Sequence, residues 1–405
     1  MNIVLAIDQY DIGNNGTTMS SRNLVNALRE KGHNVRILGM GTEGEDKFVL
    51  PELHIPLATP IAHSQGMAFA KPVEETIRAA LKGADVVHFY MPFLPLAVKT
   101  KKIAEEMGIA TTAAFHVQPE NITYNCGLSR SKAAPERIYE YFKKHYYEGY
   151  KHVHCPSKFI ASELKRHNYS AKLHVISNGV DNCFTYTKNE KPEELKDKFS
   201  ILMIGRLSKE KRQDLLIEAA ALSKYSDKIQ LFFAGKGPKA SKYEKLGEKL
   251  KNKPDFSFYT KEELKYKMST CDLYVHPADV EIEAISCIEA FSTGLVPVIS
   301  ASDKSATGQF ALDDRSLFKP GDAQDLANKI DYWIEHPVER EQMGHAYSKH
   351  GEQFRLSHCA TMMEEMFYEA IEDQKKCTVV SPAVSQAENE PIDLVDDRNS
   401  VKVAG

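Results

Sequence analysis

The chain opens on an apolar run from Ile3 to Ile7, a polar glycine-containing loop from Asp11 to Thr18, a helical period to about Lys31, a Gly-His turn and a second apolar run, VRIL. That order predicts strand, loop, helix and strand. Further buried-strand runs follow at ADVVHF, IATTAAF, HVHCP and KLHVIS, separated by helical periods such as LAVKTKKIAEEMG and KFIASELKRHN. Strands that alternate with helices predict a parallel sheet covered on both faces.

After SNGVDNCF the chain enters TYTKNEKPEELKDKF, a polar stretch with no apolar face, and the alternation restarts at SILMIG. It continues through IQLFFAG, FSFY, CDLYVHP and LVPVIS, with helices predicted to begin near Gln213, Lys239, Lys261 and Ala284. The expected architecture is α/β: two Rossmann-like, doubly wound domains facing a cleft. They span 1–184 and 199–373, with 185–198 as a linker and terminal helices over 323–373 closing the second. From Gln374 the periodicity fades, and 374–405 is predicted to be a disordered tail.

Charge and cysteine usage narrow the function classes. Lys+Arg 52 against Asp+Glu 56 leaves a formal net charge of -4, without the basic excess that neutralising a phosphate backbone requires, so nucleic acid is not an expected partner. Cysteines at 126, 155, 183, 271, 287, 359 and 377 are odd in number and never two residues apart, which fits reduced thiols and a cytoplasmic setting. No basic n-region with a long apolar run opens the chain, and no apolar stretch reaches membrane-spanning length, so neither secretion nor a span is expected.

Ligands of open α/β sheets bind at the carboxyl ends of the strands, which directs attention to the loops after SILMIG, LFFAG and DLYVHP. The first, GRLSKEKRQ, follows Gly205 with Arg206 and Lys211 just ahead of a helix. Two cations beside a helix N-terminus suit a diphosphate. The second, AGKGPKA, carries Gly235 and Gly237, which allow close backbone approach to a ligand. In the third, Glu281 precedes the helix and Glu289 lies more than a turn inside it. A carboxylate can accept paired hydrogen bonds from a sugar diol, while the helix N–H groups from Ala284 and Ile285 to Ser286 can face an anion. Taken singly, these are ordinary features: solvated cations, a tight turn, a solvated helix glutamate.

In this order and spacing, GRLSKEK, AGKGP and Glu281 to Glu289 with EAFSTGLVPVIS resemble glycosyltransferase family 4, the retaining group 1 glycosyltransferases of GT-B fold. The N-terminal glycine loop, REKGHNVRIL, ADVVHFYMP, TAAFH, HCPS and VISNGVD extend the resemblance over residues 1 to 371. It implies that Arg206 and Lys211 grip the donor diphosphate, that Glu289 binds the ribose hydroxyls and that Glu281 lies beside the transferred sugar. It further implies that Gly16, with the hydroxyl of Thr17 or Thr18, closes onto the phosphates. His116 would be directed at the donor sugar, and the loop containing Tyr259 would pack on the nucleobase. Where the family often has Phe-Gly, this chain has Glu283-Ala284, which opens a role for Glu283 in selecting a sugar hydroxyl.

The implied reaction moves a hexose from a nucleotide diphosphate sugar, UDP favoured and GDP the other choice, to a lipid or saccharide hydroxyl with retention. No cofactor or metal is expected, since no Asp-X-Asp element stands at a strand end and Asp313-Asp314 falls in a turn-like segment. A nucleotide-sugar epimerase and a non-catalytic GT-B partner subunit are the alternatives. The segment RSKAAPERIYEYFKKHYYEGYKH, residues 130 to 152, interleaves cations with aromatic rings, a composition suited to peripheral contact with the inner membrane face. The same rings at helical spacing suit packing on a sheet.

Overall fold

In the computed structural model, which describes residues 1–11, 16–54, 56, 59, 63 and 68–380, each predicted apolar run is a strand of one of two sheets. The first sheet is built from β1 (Asn2–Gln9), β2 (Asn34–Met40), β3 (Lys47–Val49), β4 (Val86–Phe89), β5 (Ala110–Ala114), β6 (His152–Cys155) and β7 (Lys172–Val175). The second holds β8 (Phe199–Ile204), β9 (Ile229–Ala234), β10 (Asp255–Ser257), β11 (Leu273–His276), β12 (Pro297–Ser300) and β13 (Leu317–Phe318). Their orders are β3-β2-β1-β4-β5-β6-β7 and β10-β9-β8-β11-β12-β13, with every pair parallel. Both faces are covered, so central strands such as β4 are buried at every residue. The edge strands β3 and β13 went unanticipated, being too short to show a period.

Strand order reverses between β1 and β4 in one sheet and between β8 and β11 in the other. These switch points open a crevice outside the carboxyl ends of the strands. The segment after β5 bridges to the opposite domain there: Gln118 Nε2 donates to the Lys304 carbonyl (2.9 Å) and Tyr124 Oη to Asp279 Oδ2 (2.7 Å). The two carboxyl edges therefore face each other.

Three boundaries differ from those expected. The stretch 185–198 lies along the second domain instead of linking freely, since Lys191 pairs with Asp272 and Asn189 Nδ2 donates to Ser269 Oγ (2.8 Å). The closing helix, Leu356–Val380, leaves the second domain and packs on the first: Met363, Met366 and Phe367 join Ile3, Leu5 and Ile37 in one core. His33 Nε2 meets Glu364 Oε1 at 2.7 Å across that contact. This helix continues through 374–380, where a tail was expected. Residues 381–405 lie outside the described residues.

Candidate active site

The loop leaving β8 runs through Gly205 and Arg206 into a single turn, Lys209–Lys211, after which Arg212 takes a left-handed conformation (φ 57°) and the helix Gln213–Leu222 begins. This geometry separates the two cations. Arg206 is exposed: its carbonyl accepts from Gln213 Nε2 (2.9 Å), but its guanidinium makes no hydrogen bond or ion pair with a described residue, whereas the Lys211 ammonium is ion-paired with Glu281. Glu281 follows β11 and is buried; its Oε1 is also bonded to His276 Nε2 at 2.9 Å. Burial by itself would raise the Glu281 carboxyl, but the Lys211 charge and the His276 contact outweigh it and bring the pKa down to about 2.

His276 was not picked out from the sequence. It ends β11 fully buried, with Nδ1 on Tyr274 Oη (3.0 Å), and Tyr274 Oη in turn reaches Ser286 Oγ (3.2 Å). The chain Ser286–Tyr274–His276–Glu281–Lys211 thus ties the helix Ile285–Ser292 to the loop after β8. The only available signal was a histidine at a strand end five residues before the glutamate, and such a spacing is common.

Ala284 caps that helix in a left-handed conformation (φ 67°, ψ 66°) and Ile285 begins it; the Cys287 N–H already donates to the Ala284 carbonyl (2.9 Å), which leaves the N–H groups of Ile285 and Ser286 without a helix carbonyl to bond. An alanine here bears strain that glycine would avoid. Glu289, inside the helix, accepts no side-chain hydrogen bond from a described residue. Burial pushes its carboxyl up to about 7, with Lys261 opposing and Asp181 adding to the rise. A largely enclosed carboxylate with open acceptor sites fits a hydroxyl-bearing ligand.

Other candidates fared differently. A Cβ on Gly235 would stand 2.1 Å from the Gly205 carbonyl oxygen, and one on Gly237 2.3 Å from that of Leu207. Both glycines are therefore required by the packing of one loop on the next. Tyr259 Oη donates to Asp255 Oδ2 (3.1 Å) and its ring lies against the second core. The ring left open in that loop is Phe258, 65% exposed, with Lys236 Nζ 5.0 Å from its centroid. Glu283 does not present itself to a sugar: it is buried, bonded by Ser177 Oγ and by the N–H and side-chain amide of Asn178 in the first domain. Burial raises its carboxyl to about 7 against those bonds.

From the first domain, Gly16 opens the helix Gly16–Glu30 after β1, and nothing lies within 4 Å of where its Cβ would be. Thr17 stands one residue on, while the Thr18 hydroxyl donates to the Gln9 carbonyl (3.2 Å). His116, just past β5, stacks on Tyr90 at 4.8 Å, and its Nε2 is buried without a partner. Burial, then His154 and His88, hold its imidazole well below the usual histidine range, hence neutral. No hydrogen bond or ion pair among the described residues joins these four positions to the Lys211–Glu281 pair.

In the aromatic segment, Tyr139, Phe142, Tyr147 and Tyr150 are buried in the first core, so most of the rings serve packing. Tyr141 is 52% exposed, beside exposed Lys144 and His145. No helix of the described residues is long and apolar enough to cross a membrane.

The family model for glycosyl transferases group 1 matches residues 186–350, and that for Glycosyltransferase Family 4 matches residues 14–182. An alpha-monoglucosyldiacylglycerol synthase of Streptococcus pneumoniae is 24% identical over 325 residues, covering 74% of this chain and 71% of that protein. The structure of Anabaena Alr3699/HepE in complex with UDP and glucose covers 91% of this chain and 100% of its own, at 14% identity and TM-score 0.67, a likeness of fold. The catalytic domain of cholesterol-alpha-glucosyltransferase from Helicobacter pylori is 51% identical over 38% of this chain and 99% of its own, at TM-score 0.36. Matched along both halves in order and folded as two facing parallel-sheet domains, the chain belongs to the group 1 glycosyltransferases of family 4, with the GT-B fold.

Proposed function

We propose that the protein is a metal-independent, retaining hexosyltransferase that uses a nucleotide diphosphate sugar, UDP in preference to GDP, to glycosylate a lipid or saccharide hydroxyl. The observation that carries this reading is the cluster at the β8/β11 switch point: an Arg206 guanidinium with no partner among the described residues, Lys211 held by Glu281, and Glu281 fixed by His276. Fixed cations stabilise a leaving diphosphate as its charge develops. The bond from the anomeric carbon to the diphosphate breaks and the bond to the acceptor oxygen forms on the same face. The acceptor proton passes to a leaving phosphate oxygen. Glu281, ionised at neutral pH, stands beside Lys211 to stabilise positive charge on the sugar ring, and Glu289 accepts from the nucleoside hydroxyls.

The donor preference draws on the structure of HepE in complex with UDP and glucose. The lipid acceptor draws on the pneumococcal relative, whose name describes a glucosylated diacylglycerol. The exposed Leu128, Tyr141, Lys132, Arg137 and Lys144 give the first domain a face where rings and cations can meet an anionic surface.

The test is turnover of UDP- and GDP-hexoses with diacylglycerol, a sterol and an oligosaccharide as acceptors, in EDTA. An α-linked product from an α-linked donor is expected. A β anomer, an epimerised donor without transfer, or activity abolished by EDTA and restored by manganese would each overturn the reading.

A further inference from the structure

Away from the crevice, where the closing helix crosses the first sheet, His152 opens β6 and His174 lies within β7. The strand register pairs His152 with Lys172 and His154 with His174, so His152 and His174 are diagonal neighbours on one sheet face. Glu369 and Asp373, four residues apart on the closing helix, share the helical face above them. The atoms converge: His152 Nδ1 to His174 Nε2 is 3.0 Å, His174 Nε2 to Glu369 Oε2 is 3.9 Å, and His152 Nδ1 to Glu369 Oε2 is 4.0 Å.

Among the described residues, this group alone gathers histidine, cysteine or carboxylate atoms closely enough to hold a metal ion. A tetrahedral zinc ion with bonds near 2.0–2.1 Å separates its ligand atoms by about 3.4 Å, so shifts of about half an ångström would complete the set. The surroundings also fit. His152 Nε2 is 3.2 Å from Asp373 Oδ2, the carboxylate-to-histidine contact that orients a metal-bound imidazole. Side-chain exposure rises from 3% at His152 and 12% at His174 to 44% at Glu369, which leaves an open side for entry and a water ligand.

We propose that His152 Nδ1, His174 Nε2 and Glu369 Oε2 form a binding site for a zinc-class divalent ion, oriented by Asp373. The ion would staple the closing helix to the first sheet. Binding replaces the hydrogen bond between the two rings, and the proton held between the facing nitrogens moves by exchange with water to the other nitrogen of its own ring, so that both rings coordinate as neutral imidazoles. It also displaces Lys172, whose Nζ lies 2.5 Å from Glu369 Oε2. The site lies at the amino end of β6, whereas the diphosphate cluster lies at carboxyl ends, so the ion has no part in turnover.

The experiment titrates chelator-stripped full-length protein with cobalt(II), then zinc, and follows visible absorption, zinc affinity by competition, and Tm. One ion per chain is expected, with the weak visible bands of four-coordinate cobalt, no thiolate charge-transfer band, and a Tm raised by a few degrees in excess zinc. Glu369→Gln and His174→Ala, both checked by circular dichroism, should each lose at least tenfold in affinity. Asp373→Asn should lose about tenfold, and Lys172→Ala should bind more tightly. Equal zinc binding by wild type and Glu369→Gln, a cobalt spectrum dominated by thiolate, or no bound ion in the wild type would overturn the proposal. None of these outcomes depends on sugar transfer.

Discussion

Replacing Glu281 by Gln keeps the side chain's shape and removes its charge from between Lys211 and His276. The carboxyl is displaced from its ordinary 4.5 to about 2, although burial works the other way. Each pH unit is worth about 1.4 kcal/mol, so the ionised side chain stabilises the fold by roughly 3 kcal/mol relative to its neutral form, which Gln mimics. Because the folded value is depressed, this stabilisation is complete above about pH 4.5 and is lost as pH falls from there towards 2. Urea unfolding of wild type and Glu281→Gln, followed by circular dichroism, should therefore show a gap of roughly 3 kcal/mol at pH 7 that narrows below about pH 4.5. The slopes should match, so that the gap reports stability and not a changed denatured state. A gap under about 1 kcal/mol at pH 7, or one that stays constant down to about pH 3, would refute the electrostatic account of this cluster.

Arg206→Ala and Lys211→Ala should each lower turnover by about two to three orders of magnitude, but only Lys211→Ala should also destabilise the fold. It strands the buried Glu281 charge at a cost of about 3 to 5 kcal/mol; equal melting of the two variants would contradict this. Glu283→Gln should be more stable than wild type above pH 7, by up to roughly 3 kcal/mol. The wild-type carboxyl, raised to about 7, is costly to ionise in the fold, so the advantage should grow from about pH 4.5 to pH 7 and vanish at lower pH. An advantage independent of pH would remove burial as its cause. Ala284→Gly relieves a left-handed alanine and should raise unfolding free energy by about 1 kcal/mol; no gain in chemical denaturation would show the strain to be relieved elsewhere.

The sequence by itself determined the architecture and the strand-end placement of the loops that bear Arg206, Lys211 and Glu281. Apolar runs between helical periods give the strands of a parallel sheet but not their order: β7 and β10, read in the same way as the others, lie at edges. Once the sheet is parallel, the loops bearing Arg206, Lys211 and Glu281 must fall at one edge, so these were legible from local pattern alone. Tertiary structure decided what each group is bonded to. That Lys211 meets Glu281, that His276 and Tyr274 brace it, and that Glu283 turns to Ser177 and Asn178 depend on contacts between distant segments, on which periodicity is silent. For Gly235 and Gly237 the sequence shows only that a side chain is excluded; the structure adds that the neighbouring backbone excludes it. The aromatic residues from Tyr139 to Tyr150 gave one composition for two fates, and only the packing of the helix separated buried Tyr139 from exposed Tyr141. The return of the closing helix to the first domain, which brings Glu369 to His152 and His174, follows from which apolar face it covers, a choice made by the sheet it meets.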